Sequence, residues 1–261
     1  MAYARALRLL TGQRHDQHAI APPNPAREAA VHHHDASADG AAGIDSVVMI
    51  GDSITKGSTP PLEERFDLLG LEHVIAAENG KRMAVSAPDN PSGADLAAFL
   101  AANSDGDHSD EVWVVALGTN DVSQYSGPDN IAASVNEVLN EVPDDAALVW
   151  VDIYFRDRLE DAAVVNSIIR DRVTRRGDRI IAPWTAFAET ESVLTGDGVH
   201  PTPEGADVFA FVVTDTVRAF LDRVRSGDLG MLPVIVGLVI IWTVFSILNP
   251  VFLSPNNLVN L

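Results

Sequence analysis

The sequence predicts an α/β protein built on a five-stranded parallel sheet. Between residues 46 and 225, short runs of β-branched and other apolar residues alternate with longer segments whose apolar residues recur every three or four positions. This is the pattern of strands joined by crossover helices, and strands that are apolar on nearly every residue belong to a sheet covered on both faces. Polar motifs follow the first and third strand runs, where an open parallel sheet binds its ligands.

The predicted elements follow one another in a regular order. The strand runs lie at 46–51, 73–77, 112–117, 147–152 and 179–183. The helical segments lie at 59–70, 92–102, 129–141, 160–175 and 203–224. Thr202 is predicted to be the N-cap of the last helix, because Pro203 suits the first helical position and a threonine hydroxyl can accept a backbone hydrogen bond there.

Composition and charge exclude several classes of function. The chain has 261 residues, of which 46% are hydrophobic, and this is enough to form a globular core. The 18 Lys and Arg residues stand against 37 Asp and Glu residues, and a net charge of -19 repels a phosphate backbone, so nucleic acid is not an expected partner. The chain has no cysteine, so covalent catalysis would need another nucleophile.

Two segments of different character flank the predicted domain, residues 46–225. Residues 1–45 are rich in Ala, Pro, His and Asp and are predicted to be disordered; they lack the apolar stretch of a secretory signal. The stretch from Leu229 to Leu261 contains no charged residue and no histidine. We predict a transmembrane helix over 229–253, followed by a short tail, 254–261.

Charges beside this span predict its orientation. Arg218, Arg223 and Arg225 precede the span and no basic residue follows it, so the positive-inside rule places the preceding domain in the cytoplasm. The expected localisation is therefore a single-pass membrane protein with a cytoplasmic domain. The alternative is a mispredicted start codon that has removed an export signal.

The C-terminal segment also resembles a known membrane protein. From about Arg218 onward, the apolar run followed by NPVFLSPNNLVNL resembles the start and first membrane helix of sugar-type ABC transporter permeases of the ribose and xylose class. A permease needs many spans, so the resemblance implies a truncated fusion or a retained anchor, with sugar transporter components as partners. Transport by this chain alone is not expected.

Three motifs supply the groups that ester hydrolysis requires. GDSIT (51–55) follows the first strand, GTND (118–121) follows the third, and DGVHP (197–201) precedes the last helix. In a strand-to-helix turn, Ser53 can expose its hydroxyl and aim its own N–H at a developing oxyanion, so it is the predicted nucleophile. Asn120, brought alongside by the neighbouring parallel strand, is the predicted side-chain oxyanion donor.

His200 and Asp197 are predicted to complete the catalytic set. A histidine, with an ordinary pKa near 6.5, suits a general base at neutral pH. Asp197 stands three residues earlier and can accept the Nδ1–H of His200, which holds the tautomer. Asp52 and Asp121 border the site, and we expect them to hydrogen-bond local backbone N–H groups.

GDSIT, GTND and DGVHP, in this order and spacing, resemble the blocks of the SGNH hydrolase family, also called GDSL esterases and lipases. The resemblance covers residues 46–222 and implies a three-layer α/β/α, flavodoxin-like fold without a metal or organic cofactor. It gives the roles above to Ser53, Asn120, Asp197 and His200.

The glycine block of the family, whose backbone N–H completes the oxyanion hole, is matched less clearly. Gly80, in ENGKRM after the second strand, is our choice. Gly93, in NPSGAD, is the alternative.

The expected function is a serine esterase for short acyl, acetyl-type esters, with carbohydrate among the candidate alcohols. No long apolar lid insertion is visible, so a deep lipid tunnel is not expected. Arg156 and Arg158 follow the fourth strand and are candidates either to bind a substrate carboxylate or sugar or to form salt bridges. Two alternatives stay open: an O-acyltransferase with the same triad, and a non-catalytic membrane-tethered domain associated with a sugar transporter.

Overall fold

A computed structural model describes residues 43–104, 106–176, 180–190 and 192–225. The chain divides into two compact units, Met1–Arg218 and Ala219–Leu261, and of the second only the end of the last helix, 219–225, is described. The predicted transmembrane helix and tail, and nearly all of the predicted N-terminal disorder, lie outside these residues. Within the first unit, Ile44 is buried and the Asp45 N–H donates to the carbonyl of Asp110 at 3.0 Å, so the chain packs on the domain two residues before the first strand.

Five strands form one sheet: β1 Ser46–Gly51, β2 Glu72–Ala77, β3 Glu111–Ala116, β4 Ala147–Val151 and β5 Ile180–Ala182. Their order is β2-β1-β3-β4-β5 and every pairing is parallel. This is the strand order of flavodoxin-like proteins, so the predicted α/β class and five-stranded parallel sheet are confirmed. The order changes direction between β1 and β3, which leaves a crevice at their carboxyl ends.

The described residues contain eight α-helices: α1 Ser53–Gly57, α2 Thr59–Leu69, α3 Gly93–Ala102, α4 Thr119–Ser123, α5 Pro128–Glu141, α6 Leu159–Arg176, α7 Thr185–Ala188 and α8 Pro203–Arg225. The five long helices are the predicted ones. The short helices α1, α4 and α7 were not predicted, because a helix of four or five residues is too short to show an apolar period. Two of them, α1 and α4, directly follow β1 and β3.

The last helix begins as the sequence predicts. The Thr202 hydroxyl accepts the N–H of Gly205 at 3.0 Å, which is an N-cap hydrogen bond. Gly205 itself lies against the preceding loop, because a Cβ added there would be 1.8 Å from the carbonyl oxygen of Val193. The start of α8 is therefore tied to the loop that precedes it.

The sheet is buried on both faces because successive strand side chains point in opposite directions. One face packs against α3, α5 and α6 in a core built around Trp113 and Trp150. Alternate residues such as Met49 and Val114 are also fully buried and face the other way. There Trp184 packs edge-on against Phe209 of α8, with ring centroids 5.2 Å apart. Trp184 and Phe209 line a small cavity with Asp52 and Leu117, which directly follow the carboxyl ends of β1 and β3.

No helix in the described part of the chain is long and apolar enough to cross a membrane. Helix α8 has 23 residues, but charged residues recur along it. The predicted span at 229–253 is not among these helices and stays a prediction.

Candidate active site

The turn after β1 places Ser53 at the carboxyl edge of the sheet. Asp52 is the N-cap of α1, and its Oδ1 accepts the Ile54 N–H at 2.9 Å, so Ser53 is the first residue of the helix. Gly51 permits the tight turn, because a Cβ at this position would be 2.1 Å from the Thr55 hydroxyl oxygen. The backbone of Ser53 is thus fixed between the end of β1 and the capped start of α1.

Ser53, His200 and Asp197 form one hydrogen-bonded line. The Ser53 Oγ lies 2.9 Å from His200 Nε2, and His200 Nδ1 lies 2.6 Å from Asp197 Oδ2. This is the geometry in which an imidazole can take a proton from a hydroxyl while a carboxylate holds its other nitrogen. The structure therefore brings these three predicted residues together.

Asp197 is held by its own loop. Its Oδ1 accepts the N–H groups of Val199 at 2.9 Å and His200 at 3.0 Å and the hydroxyl of Thr195 at 2.8 Å. Partial burial acts to raise the pKa of Asp197, but the hydrogen bonds from His200, Val199 and Thr195 outweigh it and hold the pKa well below its usual range. Thr195 was not predicted, although a hydroxyl two residues before an aspartate is a common local pairing.

The site is open to solvent. The side chains of His200 and Asp197 are 47% and 50% exposed. Backbone bonds close the loop that carries them, from the Thr195 N–H to the His200 carbonyl at 2.8 Å and from the Thr202 N–H to the Val193 carbonyl at 2.9 Å. Hydrogen bonds within the loop thus fix its backbone, while the side chains of His200 and Asp197 are accessible to solvent.

Asn120, the second residue of α4, lies across the crevice from Ser53. Its Nδ2 is 3.3 Å from Asp52 Oδ2 and 3.1 Å from the Lys81 carbonyl oxygen. The amide that we predicted to stabilise an oxyanion is thus positioned by groups from the loops after β1 and β2. Neither partner was predicted from the sequence.

The two candidate glycines differ in their surroundings. Gly80 has a φ of 71° in an exposed turn after β2 and directly precedes Lys81. The Gly93 N–H donates to the Arg82 carbonyl at 2.8 Å, and a Cβ at Gly93 would be 2.2 Å from a Leu117 methyl group. The N–H of Gly93 is thus engaged in packing the loop, whereas Gly80 stays our prediction for the oxyanion hole.

Asp52 and Asp121 are both buried beside the site. Burial raises the pKa of Asp52 to about 6, although the Ile54 N–H acts to lower it. Burial also raises the pKa of Asp121. The expected local backbone partner is confirmed for Asp52. For Asp121, its own backbone N–H acts to lower the pKa, and the carboxylate also accepts the more distant Met83 N–H at 3.1 Å and the Arg82 Nε–H at 3.2 Å, because the fold brings the loop after β2 against α4.

The two arginines after β4 have different environments. Arg158 pairs with Asp161, with 3.4 Å between the charged groups. Arg156 packs along the loop of the triad: its N–H donates to the Gly198 carbonyl at 3.1 Å, and a Cβ at Gly198 would be 2.5 Å from the Arg156 Cβ. The structure therefore assigns Arg158 to a surface salt bridge and leaves Arg156 beside the site.

A second serine–histidine–acid arrangement lies near the amino end of β3, at the opposite end of the strands from Ser53. Ser104 Oγ is 3.0 Å from His108 Nε2, and His108 Nδ1 is 2.7 Å from Glu111 Oε2, where β3 begins. His108 is only 6% exposed, and Glu111 also accepts the Trp113 indole N–H at 2.7 Å. Hydrogen-bond geometry alone therefore does not mark an active site. In the described ranges, no group of three or more His, Asp or Glu side chains is arranged to hold a metal ion.

Comparisons with known proteins identify a family that the chain matches. The sequence profile of the GDSL-like lipase/acylhydrolase family matches residues 49–208, more than half of the chain. This range contains all the predicted site residues. No curated protein sequence matches the chain.

Several solved structures share the fold. A carbohydrate acetylesterase family member from Sinorhizobium meliloti is 17% identical, with 68% of this chain and 99% of that chain covered and a TM-score of 0.53. A family 3 carbohydrate esterase from Clostridium thermocellum is 13% identical, with 68% and 97% covered and a TM-score of 0.52. A lipolytic protein of the G-D-S-L family from Veillonella parvula is 13% identical, with 65% and 96% covered and a TM-score of 0.53. None of these matches supports the permease resemblance of the C-terminal segment.

Proposed function

The chain belongs to the GDSL-like lipase/acylhydrolase family, and we propose that it is a serine esterase that hydrolyses short acyl, acetyl-type esters through an acyl-enzyme on Ser53. The observation that carries the proposal is the hydrogen-bonded line from the Ser53 hydroxyl through His200 to Asp197. It lies at the carboxyl edge of a parallel sheet, beside the strand-order switch, where such folds bind ligands.

The reaction follows from the positions of these groups. His200 Nε2 takes the proton of Ser53, whose Oγ attacks the acyl carbon; Asp197, ionised because of its lowered pKa, stabilises the imidazolium. The oxyanion accepts hydrogen bonds from the N–H groups of Ser53 and Gly80 and from the Asn120 amide. The bond to the alcohol then breaks and the alcohol leaves with the proton of His200. Water, with His200 again as base, attacks the acyl carbon and releases the carboxylic acid and the free Ser53 hydroxyl.

The exposure of the triad supports a small acyl group on a larger alcohol. A half-exposed His200 leaves room for an alcohol that extends into solvent, whereas a long acyl chain would need an enclosed apolar tunnel. The carbohydrate esterases among the similar structures favour a sugar as this alcohol. The same exposure would admit a sugar hydroxyl in place of water, so O-acyl transfer is the second candidate reaction.

The test is p-nitrophenyl acetate hydrolysis by the purified full chain in detergent. Ser53→Ala and His200→Ala should each lower kcat/KM by about 10³-fold or more. Ser104→Ala, in the second serine–histidine arrangement, should leave it unchanged. No turnover by a folded parent protein would contradict the proposal and favour a non-catalytic tethered domain. Turnover that survives Ser53→Ala would contradict the proposal by showing that the reaction does not pass through Ser53. Adding a sugar acceptor and measuring acylated sugar against free acetate separates transfer from hydrolysis.

We further propose that residues 229–253 anchor the domain to a membrane, with the domain on the cytoplasmic side. The uncharged stretch and the arginines before it support this. Sedimentation of the full chain with membranes, compared with a chain ending at residue 225, tests the anchor. Protease protection of the domain in inside-out and right-side-out vesicles tests the orientation.

A further inference from the structure

We propose that Asp52 is a positioning residue, which aims the Asn120 amide at the oxyanion and ties this donor to the helix that carries Ser53. The inference rests on the proposed function and deepens it. Asp52 lies next to the nucleophile in the chain, but its side chain points into the domain and is only 1% exposed.

One carboxylate joins the two sides of the crevice. Asp52 Oδ1 accepts the Ile54 N–H at 2.9 Å and thereby caps α1, the helix after β1. Asp52 Oδ2 lies 3.3 Å from the Asn120 Nδ2 of α4, the helix after β3. A shift of either helix would therefore break one of the two bonds.

Capping alone does not explain a carboxylate at this position. Asn or Ser caps a helix about as well as Asp does and would avoid the cost of burying a charge. Burial raises the pKa of Asp52 to about 6, so at neutral pH the group is ionised in spite of that cost. Besides the Ile54 N–H, the carboxylate has two side-chain partners, the Thr119 hydroxyl and the Asn120 amide, and the second of these joins it to the proposed oxyanion donor.

The Asn120 amide has two hydrogens and two protein acceptors. The Lys81 carbonyl is the closer one, at 3.1 Å, and the Asp52 carboxylate lies at 3.3 Å. We infer that Lys81 retains its hydrogen bond during the reaction, whereas the hydrogen on the Asp52 side is shared with the oxyanion. Asp52 then sets the plane of the amide before the substrate arrives, which is the preorganisation that an oxyanion hole requires.

Charged and polar groups from the neighbouring elements face Asp52. The Thr119 hydroxyl and the charge of His200 act to lower its pKa, and Asp121 acts to raise it. On its far side Asp52 lines a small cavity together with Asp152, whose pKa burial also raises, and Trp184. Because His200 is among these neighbours, a test must separate an effect of Asp52 on Asn120 from one on the imidazole.

A double-mutant cycle makes this separation. Asp52→Asn keeps the size and an oxygen for the cap but turns an NH₂ group toward Asn120 that cannot accept a hydrogen bond. In the full chain, with p-nitrophenyl acetate, we expect it to lower kcat by about tenfold or more with KM nearly unchanged. In the Asn120→Ala background the same change should alter kcat by no more than about threefold. Asp52 acts on turnover by orienting the Asn120 amide, and this amide is absent from that background. Circular dichroism and thermal unfolding establish that each variant is folded.

The outcomes separate the inference from the function on which it rests. Turnover that survives Ser53→Ala overturns the proposed function and the inference together. Two results would overturn the inference alone, provided that turnover needs Ser53: Asp52→Asn leaves kcat unchanged, or Asp52→Asn lowers kcat as much in the Asn120→Ala background as in the parent. An equal loss in both backgrounds would assign Asp52 to capping or to the charge near His200.

Discussion

The Ser53 hydroxyl oxygen and Nε2 of His200 lie 2.9 Å apart, although 147 residues separate them in the chain. Ser104 and His108 lie at almost the same distance, 3.0 Å, only four residues apart. The first pair stands at the carboxyl edge of the sheet with an exposed imidazole, and the second stands beside the start of β3 with a buried one. The two pairs therefore provide a comparison within one molecule.

A serine-reactive fluorophosphonate should label Ser53 and not Ser104. Reaction needs an accessible hydroxyl, a base and donors for the developing oxyanion. His108, the base beside Ser104, is only 6% exposed, and the Ser104 hydroxyl donates to the Ala101 carbonyl at 2.9 Å. Intact mass and peptide mapping give the site of labelling. Ser53→Ala should abolish it and Ser104→Ala should not; labelling at Ser104 would contradict the assignment of the nucleophile.

Asp197→Asn should lower kcat/KM by about 10²–10⁴-fold. The amide would place an NH₂ group against His200 Nδ1, which favours the tautomer with its proton on Nε2, where the Ser53 proton must go. Thr195→Val removes only one of the bonds to Asp197 and should cost much less. Equal losses in the two variants would show that the loop position, and not the tautomer, limits the reaction. p-Nitrophenyl acetate kinetics measure both.

Asp52 should make the free energy of unfolding fall as the pH rises from about 4 to 6. The pKa of Asp52 is about 6 in the folded protein and near 3.9 when unfolded, so in this window the unfolded state binds fewer protons. This decrease in the free energy of unfolding is complete above the pKa of Asp52 in the folded protein and amounts to roughly 3 kcal/mol. It should be missing in Asp52→Asn, whose stability relative to the parent should therefore rise across this window.

Urea unfolding at several pH values, followed by the fluorescence of the buried tryptophans, measures this difference. Asp89→Asn, at an exposed position, is the matched control and should show the pH dependence of the parent. A constant difference between parent and Asp52→Asn from pH 4 to 7 would contradict the raised pKa.

Gly198→Ala should destabilise the loop between Asp197 and His200. Gly198 has a φ of 70°, which costs an alanine about 1–2 kcal/mol, and the new Cβ would be 2.5 Å from the Arg156 Cβ. We expect a lower melting temperature and lower kcat/KM. Gly196→Ala is the control, because an added Cβ there has no neighbour within 4 Å. Equal effects of the two changes would contradict this account of the loop.

Local patterns in the sequence were sufficient for the class of fold and for much of the candidate site. The apolar runs and the three- to four-residue periods predicted five strands and five long helices, because side-chain periodicity is a property of each segment alone. Ser53, Asn120, Asp197 and His200 could be selected in the same way, since each stands in a short motif directly after a strand or before a helix.

The hydrogen-bond partners that these side chains share depend on contacts between segments that are distant in the chain. The bond from Asn120 to Asp52 spans 68 residues and the bond from Met83 to Asp121 spans 38. Both depend on the strand order β2-β1-β3, which brings three successive loops to one edge. Strand order arises from packing across the whole sheet, and no short stretch of sequence contains it. The elements and the candidate groups can thus be identified from the sequence, whereas the assembled sheet is what places the buried Asp52 between the helix of Ser53 and the Asn120 amide.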